Sequence, residues 1–149
     1  MTGVQTCALP ISPARPALGP VDATTVRHVP LVTCSPGIDA TAVESVIGVA
    51  PAAVVEGFGD LNLPHQVWGP VHAAAARGCT VVVASAAFTP TSTNETLEVL
   101  GAVGAGGLSA QKARLVLAAA GAAGLDAART RELLHQYALE RDAGERGTS

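Results

Sequence analysis

The chain has 149 residues, enough for one domain, and 48% of them are apolar, mostly small side chains, so one core of alanine, valine and leucine is expected. A formal charge of -3 from 9 basic and 12 acidic residues, with the basic ones scattered, argues against a nucleic-acid surface. No apolar run reaches the ~18 residues of a membrane span.

Residues 2–11, TGVQTCALPI, resemble the conceptual translation of a sequencing adapter. They are set aside from fold reasoning, as a fusion scar would be. On that reading the upstream coding sequence is missing, and the lack of a signal peptide carries no information. The compartment is therefore left open, with the cytoplasm favoured. Residues 12–27 hold Pro13, Pro16, Gly19 and Pro20 and are expected to form an extended, mobile interdomain linker.

A first strand is predicted at 29–33, with Pro30 at its start or on a sheet edge because it lacks a ladder donor. Cys34-Ser35-Pro36-Gly37 makes a turn. Asp39 or Thr41 then caps a helix, and Thr41 and Glu44 have capping-box spacing. Ala40, Val43, Val46, Ile47 and Ala50 form its apolar face, and Pro51 stops it.

The second strand, 53–56, is continuously apolar until Glu56, as in a sheet buried on both faces. It runs into Gly57-Phe58-Gly59-Asp60-Leu61-Asn62-Leu63-Pro64, which reads as strand, tight turn and helix start. Gly57 and Gly59 alone are a poor dinucleotide fingerprint. Pro70 predicts a break: a short turn at 64–68, then a main helix from 70 to 77, with Val67, Trp68, Val71 and Ala74 facing the core and Gly78 ending it.

The third strand is 80–84, TVVVA. Residues 85–94 form a polar, proline-containing loop. The stretch 96–107 is ambiguous, with a short fourth strand expected near 102–103. Ser109 caps a clear helix whose buried face is expected to be Leu115, Val116, Ala119 and Ala120. Asp126 caps the last helix, with Leu133, Leu134 and Tyr137 inward, and 140–149 is expected to be a flexible tail.

Alternating strands and helices imply an α/β fold: a small three-layer domain with a short parallel sheet of three to four strands flanked by helices. The loops at 35–39, 57–63 and 85–95 then share the carboxyl rim of the sheet, where ligands usually bind. Cys34 ends one strand and Cys79 begins another. In parallel strands these are opposite edges, ~15 Å apart, beyond the ~7 Å that a disulfide spans, so both are expected to be free thiols.

No complete active site is legible. His65 and His72 are seven residues apart, too far to chelate one metal unaided, so they read as surface histidines. Ser35 and Ser85 lack a Gly-x-Ser-x-Gly context. Glu56 is placed either to bond turn amides or to meet a ligand. No nucleophile has a positioned base, and no metal or cofactor is implied.

From 29 to 139 the chain resembles the C-terminal domain of the L-asparaginase family. The resemblance rests on Pro36-Gly37-Ile38-Asp39, on the stretch from Val55 to Pro64, on Arg77-Gly78 with Val81-Val82-Val83 and Ser85, on Leu108-Ser109-Ala110-Gln111-Lys112-Ala113-Arg114, and on Leu133-Leu134-His135-Gln136-Tyr137. It implies a domain at 28–139 of an enzyme that hydrolyses asparagine to aspartate and ammonia, often glutamine more weakly, through a threonine nucleophile in a larger N-terminal domain. None of the motifs of that threonine domain occurs here, so the chain alone is expected to be inactive, a truncated fragment. The family's intimate dimers, homodimers or homotetramers overall, let this domain lend residues to a neighbour's active site. The matching substrate-binding positions are Asn62 and Glu95, with Asn94 or Glu98 as alternatives for the acidic one.

The chain departs from the family at Asp60 and Leu61, where Ala or Asn and then Gly are common, and at Ala86, where Arg is usual. The expected partners are the missing catalytic domain, further copies of the chain and a small amide substrate, without nucleic acid or membrane. A non-enzymatic binding or assembly module of the same fold is the alternative reading, and the amidotransferase subunit that feeds tRNA-dependent synthesis carries a similar domain.

Overall fold

The two continuously apolar runs of the sequence become the two central strands. The structure, a computed structural model, describes residues 18–87 and 94–146, with side chains to Tyr137. The adapter-like stretch 2–11 with Cys7, the start of the linker, the loop positions 88–93 with Pro90, and 147–149 lie outside the described residues.

Four strands, β1 (Leu31–Thr33), β2 (Ala52–Gly57), β3 (Thr80–Ser85) and β4 (Val103–Gly104), form one parallel sheet in the order β1-β2-β3-β4. Leu31 pairs with Val54, Ala52 with Thr80, Gly57 with Ser85, and Val82 with Val103. The connections contain α1 (Ala40–Ile47), α2 (His65–Ala76) and α3 (Glu95–Leu100), while α4 (Ala110–Ala122) and α5 (Ala127–Arg146) follow β4.

Alternation along β2 and β3 divides the core. Val55, Val81 and Val83 meet Val43, Ile47, Val67, Val71 and Leu97 from α1, α2 and α3. Val54, Val82 and Ala84 meet Ala110, Ala113 and Leu117 of α4 and Leu134 of α5. Both faces of the central strands are thus covered, which is why their sequences do not alternate. Each fully buried valine contributes roughly 1.5–3 kcal/mol relative to exposure. Cys34 and Cys79 are buried free thiols, as the parallel arrangement requires.

Several elements differ from the sequence reading. β1 is shorter, and Pro30 precedes it on an edge of the sheet, where its carbonyl accepts from Val54 N at 2.9 Å. Asp39, not Thr41, caps α1, its carboxylate accepting from Thr41 N at 2.9 Å. α1 ends at Ile47, ahead of Pro51, and leaves Val46 45% exposed.

α2 runs unbroken through Pro70. Gly69 carries no Cβ to meet the proline ring, so the usual restriction on the residue before proline is relaxed. The carbonyl of Gln66, which loses its partner N–H, belongs to an exposed residue. Trp68 is not a core residue: it is 38% exposed, its ring centroid lies 5.3 Å from that of His65, and its indole N–H donates to Leu63 O at 3.2 Å.

The ambiguous stretch resolves into α3, capped by Asn94, and β4, one residue beyond the expected strand. α4 buries Ala110, Ala113, Leu117 and Ala120, a face rotated from the expected one; Leu115 is 70% exposed. The helix is apolar nearly all round, so periodicity fixes no face. Tyr137 is only half-buried. α5 continues to Arg146, through residues expected to be tail, where glutamate, arginine and alanine are good helix formers. In the second half of the linker a 3-10 turn at Ala23–Thr25 is fastened to α4 by Thr25 Oγ1 donating to Ala122 O at 3.3 Å.

Candidate functional site

The parallel sheet brings the ends of β1, β2 and β3 to one rim, where hydrogen bonds tie the three following turns together. Cys34 N donates to Glu56 O at 2.8 Å, and the Thr33 hydroxyl donates to Glu56 Oε2 at 3.0 Å. Ala86 N donates to Gly57 O at 3.0 Å. The Ser85 hydroxyl donates to Phe58 O at 3.3 Å and accepts from Ala87 N at 3.2 Å. Ser85 is therefore a turn serine, in keeping with its sequence context. Ser35 opens the turn after β1, its carbonyl accepting from Ile38 N at 3.1 Å.

The turn after β2 is a single 3-10 turn, Gly59–Leu61. It is closed by Phe58 N donating to Asn62 O at 2.8 Å and by Asn62 N donating to Gly59 O at 3.2 Å. The chain doubles back so tightly that a Cβ on Gly57 would lie 2.5 Å from Asn62 O. Asp60 and Leu61 both take left-handed backbone conformations, φ 55° and 60°. That costs a residue with a Cβ roughly 1–2 kcal/mol. Leu61 offsets it by burying its side chain, 2% exposed, in the core.

This geometry puts Asn62 on the rim with its side chain exposed. Its amide nitrogen donates to Gly59 O at 3.0 Å, and its amide oxygen accepts no hydrogen bond among the described residues. The side chain is fixed at one end and open at the other, a form suited to holding a polar group.

Beside the turn is a cavity of about 250 Å³ between Glu56, Leu61, Ser85 and the start of α4 at Ser109 and Gln111. Ser109 is committed to the helix, accepting from Lys112 N at 3.4 Å. The sequence places Glu56 and Ser85 at this edge and singles out the stretch from Leu108 to Arg114, but only as a helix start and not as a wall of the cavity.

Neither Asn62 nor Glu95 lines that cavity. Glu95 is exposed in the first turn of α3 and borders a separate depression with Trp68, Val99 and Leu100. Glu98 is exposed one turn further on. Among the described residues no hydrogen bond joins Asn62 to Glu95.

Four histidines, His28, His65, His72 and His135, are exposed. Among the described residues no group of three or more His, Cys, Asp or Glu has metal-binding geometry, and no helix is long and apolar enough to cross a membrane. Burial, and then the nearby Glu56 carboxylate, push the Cys34 thiol pKa up. Burial raises Cys79 as well, against the opposing charge of Arg77.

Residues 28–134 match the family model of the glutaminase/asparaginase C-terminal domain. Among solved structures, L-asparaginase I from Vibrio cholerae superposes with a TM-score of 0.63 at 18% identity. The thermostable L-asparaginase from Thermococcus kodakarensis does so with a TM-score of 0.61 at 20% identity. Each match covers 72% of this chain and 35% of the other, so the chain spans about a third of the length of these structures. No curated protein sequence matches the chain.

Proposed function

Because the chain belongs to the glutaminase/asparaginase C-terminal domain family, we propose that it is the C-terminal part of an L-asparaginase-type amidohydrolase whose threonine-bearing domain lies elsewhere in the intact parent. The observation that carries this reading is the family match over 28–134, in a domain that presents Asn62 on its carboxyl rim.

In the parent, the threonine oxygen attacks the side-chain amide carbon of asparagine. Ammonia leaves, and water then hydrolyses the resulting ester to aspartate. The role of this domain is to orient. Asn62, its amide group anchored at Gly59 O, holds the substrate and the threonine machinery through its open oxygen. Glu95 meets the substrate ammonium by a charge-assisted hydrogen bond, stronger than a neutral one. In a homodimer or homotetramer, the reading has Asn62 and Glu95 complete the pocket of a neighbouring subunit.

Resequencing the locus across residue 12 tests the first half of this reading; the expected result is an upstream frame encoding the threonine domain. The rejoined protein should release ammonia from asparagine, whereas the purified 149-residue chain should not. Asn62→Ala should lower kcat/KM roughly tenfold to a hundredfold. Glu95→Gln should act mainly on KM, by about tenfold or more. Asparagine hydrolysis by the chain alone, or none by the rejoined protein, overturns the reading.

A further inference from the structure

At the opposite edge of the sheet from Asn62, a second cavity, of about 240 Å³, lies between the start of β3 and the helices α4 and α5. Its walls are largely apolar, with Leu117 from α4, Leu125 from the turn between the helices and Ala127 from the first turn of α5.

Two polar side chains among its lining residues have no hydrogen bond or ion pair among the described residues. Thr80 is only 5% exposed and shares the α4-facing parity of Val82 and Ala84 on β3. Its backbone N–H is used, donating to Pro51 O at 3.0 Å, but no hydrogen bond reaches its hydroxyl among the described residues. No fully enclosed side-chain oxygen or nitrogen there lacks a partner, so the Thr80 hydroxyl opens onto the cavity it lines. The hydroxyl is thus free to bond a ligand that enters the cavity.

The second group is Arg27, an exposed residue that lines the same cavity and forms no ion pair among the described residues. The other polar groups are already engaged. The Thr130 hydroxyl donates to Asp126 O at 2.8 Å, and the Asp126 carboxylate accepts from Arg129 N at 2.8 Å. The first turn of α5 is therefore capped, and the positive charge that could fix an anion comes from Arg27.

We propose that this cavity binds a short aliphatic carboxylate. Its carboxylate pairs with Arg27 and accepts from the Thr80 hydroxyl, and its hydrocarbon tail lies against Leu117, Leu125 and Ala127. An inorganic anion would leave those apolar walls unused, and an uncharged molecule would forgo the ion pair with Arg27, which is otherwise exposed to water. The site is independent of the rim and of the proposed hydrolase reading, since every group it needs is in this chain.

The test titrates butyrate, and butyramide as its uncharged analogue, into the 15N-labelled 149-residue chain. Saturable millimolar binding of butyrate is expected, with amide shifts confined to the neighbourhood of Thr80, Leu117 and Thr130. Butyramide should bind about tenfold more weakly or worse. Arg27→Met should weaken butyrate about tenfold, and Thr80→Val, which conserves shape and removes only the free hydroxyl, several-fold. Both variants should keep the parent far-UV spectrum. Butyramide binding as well as butyrate, an effect of Arg27→Met without one of Thr80→Val, or shifts elsewhere on the chain would each overturn the proposal. The comparison of the two ligands on the unmodified chain decides it even if a variant fails to fold.

Discussion

The carbonyl oxygen of Asn62 lies 2.5 Å from the point where a Cβ on Gly57 would stand. The turn at the rim is thus closed against a bare α-carbon, and the last residue of β2 has no room for any side chain. Gly57→Ala should push Asn62 outward and destabilise the fold by roughly 1–3 kcal/mol. Urea unfolding measures that loss, and faster hydrogen exchange at Phe58 N–H, which bonds Asn62 O, would localise it to the turn.

Asp60 offers a contrast within the same turn. It is exposed and left-handed, φ 55°, so its side chain contributes strain without burial. Asp60→Gly should leave stability unchanged or raise it by up to about 1 kcal/mol, because relief of strain is partly offset by unfolded-chain entropy. Asp60→Ala should be less stable than Asp60→Gly by about 1–2 kcal/mol. Paired denaturation curves give the difference directly.

The two buried thiols make stability fall on the alkaline side. Burial raises the pKa of Cys34 and of Cys79 in the folded state. The folded chain therefore keeps protons that the unfolded chain releases. Their contribution is full below the ordinary thiol pKa of about 8.5 and is lost as pH rises through the folded values. In a Cys7→Ser background, the fall in stability above that pH should flatten when Cys34 and Cys79 are both replaced by alanine.

Gly121 sits inside α4, and a Cβ added there would meet nothing within 4 Å. Replacing it with alanine removes the helix penalty of glycine without steric cost. Gly121→Ala should add about 0.5–1 kcal/mol, read as a higher urea midpoint at an unchanged slope.

The parts of the fold legible in the sequence are those where one physical signal dominates. The strands at 52–57 and 80–85 stand out because burial on both faces demands unbroken apolar runs. The caps at Ser109 and Asp126 stand out because few residue types satisfy a helix start, whereas Asp39 and Thr41 both satisfy one and left the start of α1 open between them. The face of α4 was not legible: with apolar residues all round, packing against Val54 and Val82 chose Ala113 and Leu117 over Leu115. α3 was hidden because six residues give little periodicity. It is held by the Asn94 cap and by burial of Leu97 and Leu100, both tertiary facts. At the candidate site, the rim position of Asn62 follows from strand, turn and helix order. The left-handed backbone is less plain: leucine itself does not signal it, although Leu61 stands where the family commonly has glycine, and Asp60 is of a type that tolerates it. The placement of Glu95 beside Trp68 depended on where Trp68 went, and Trp68 left the core.

Strand order along the sheet repeats strand order along the chain. Each strand therefore pairs with its nearest predecessor, and loop closure is kept short for a parallel sheet. Assembly can proceed in sequence as the chain leaves the ribosome, β2 docking on β1 and β3 on β2, with the two-residue β4 added last. Translation itself would then set the folding order, and a pause after α2 would leave a half-built sheet with β2 as its open edge.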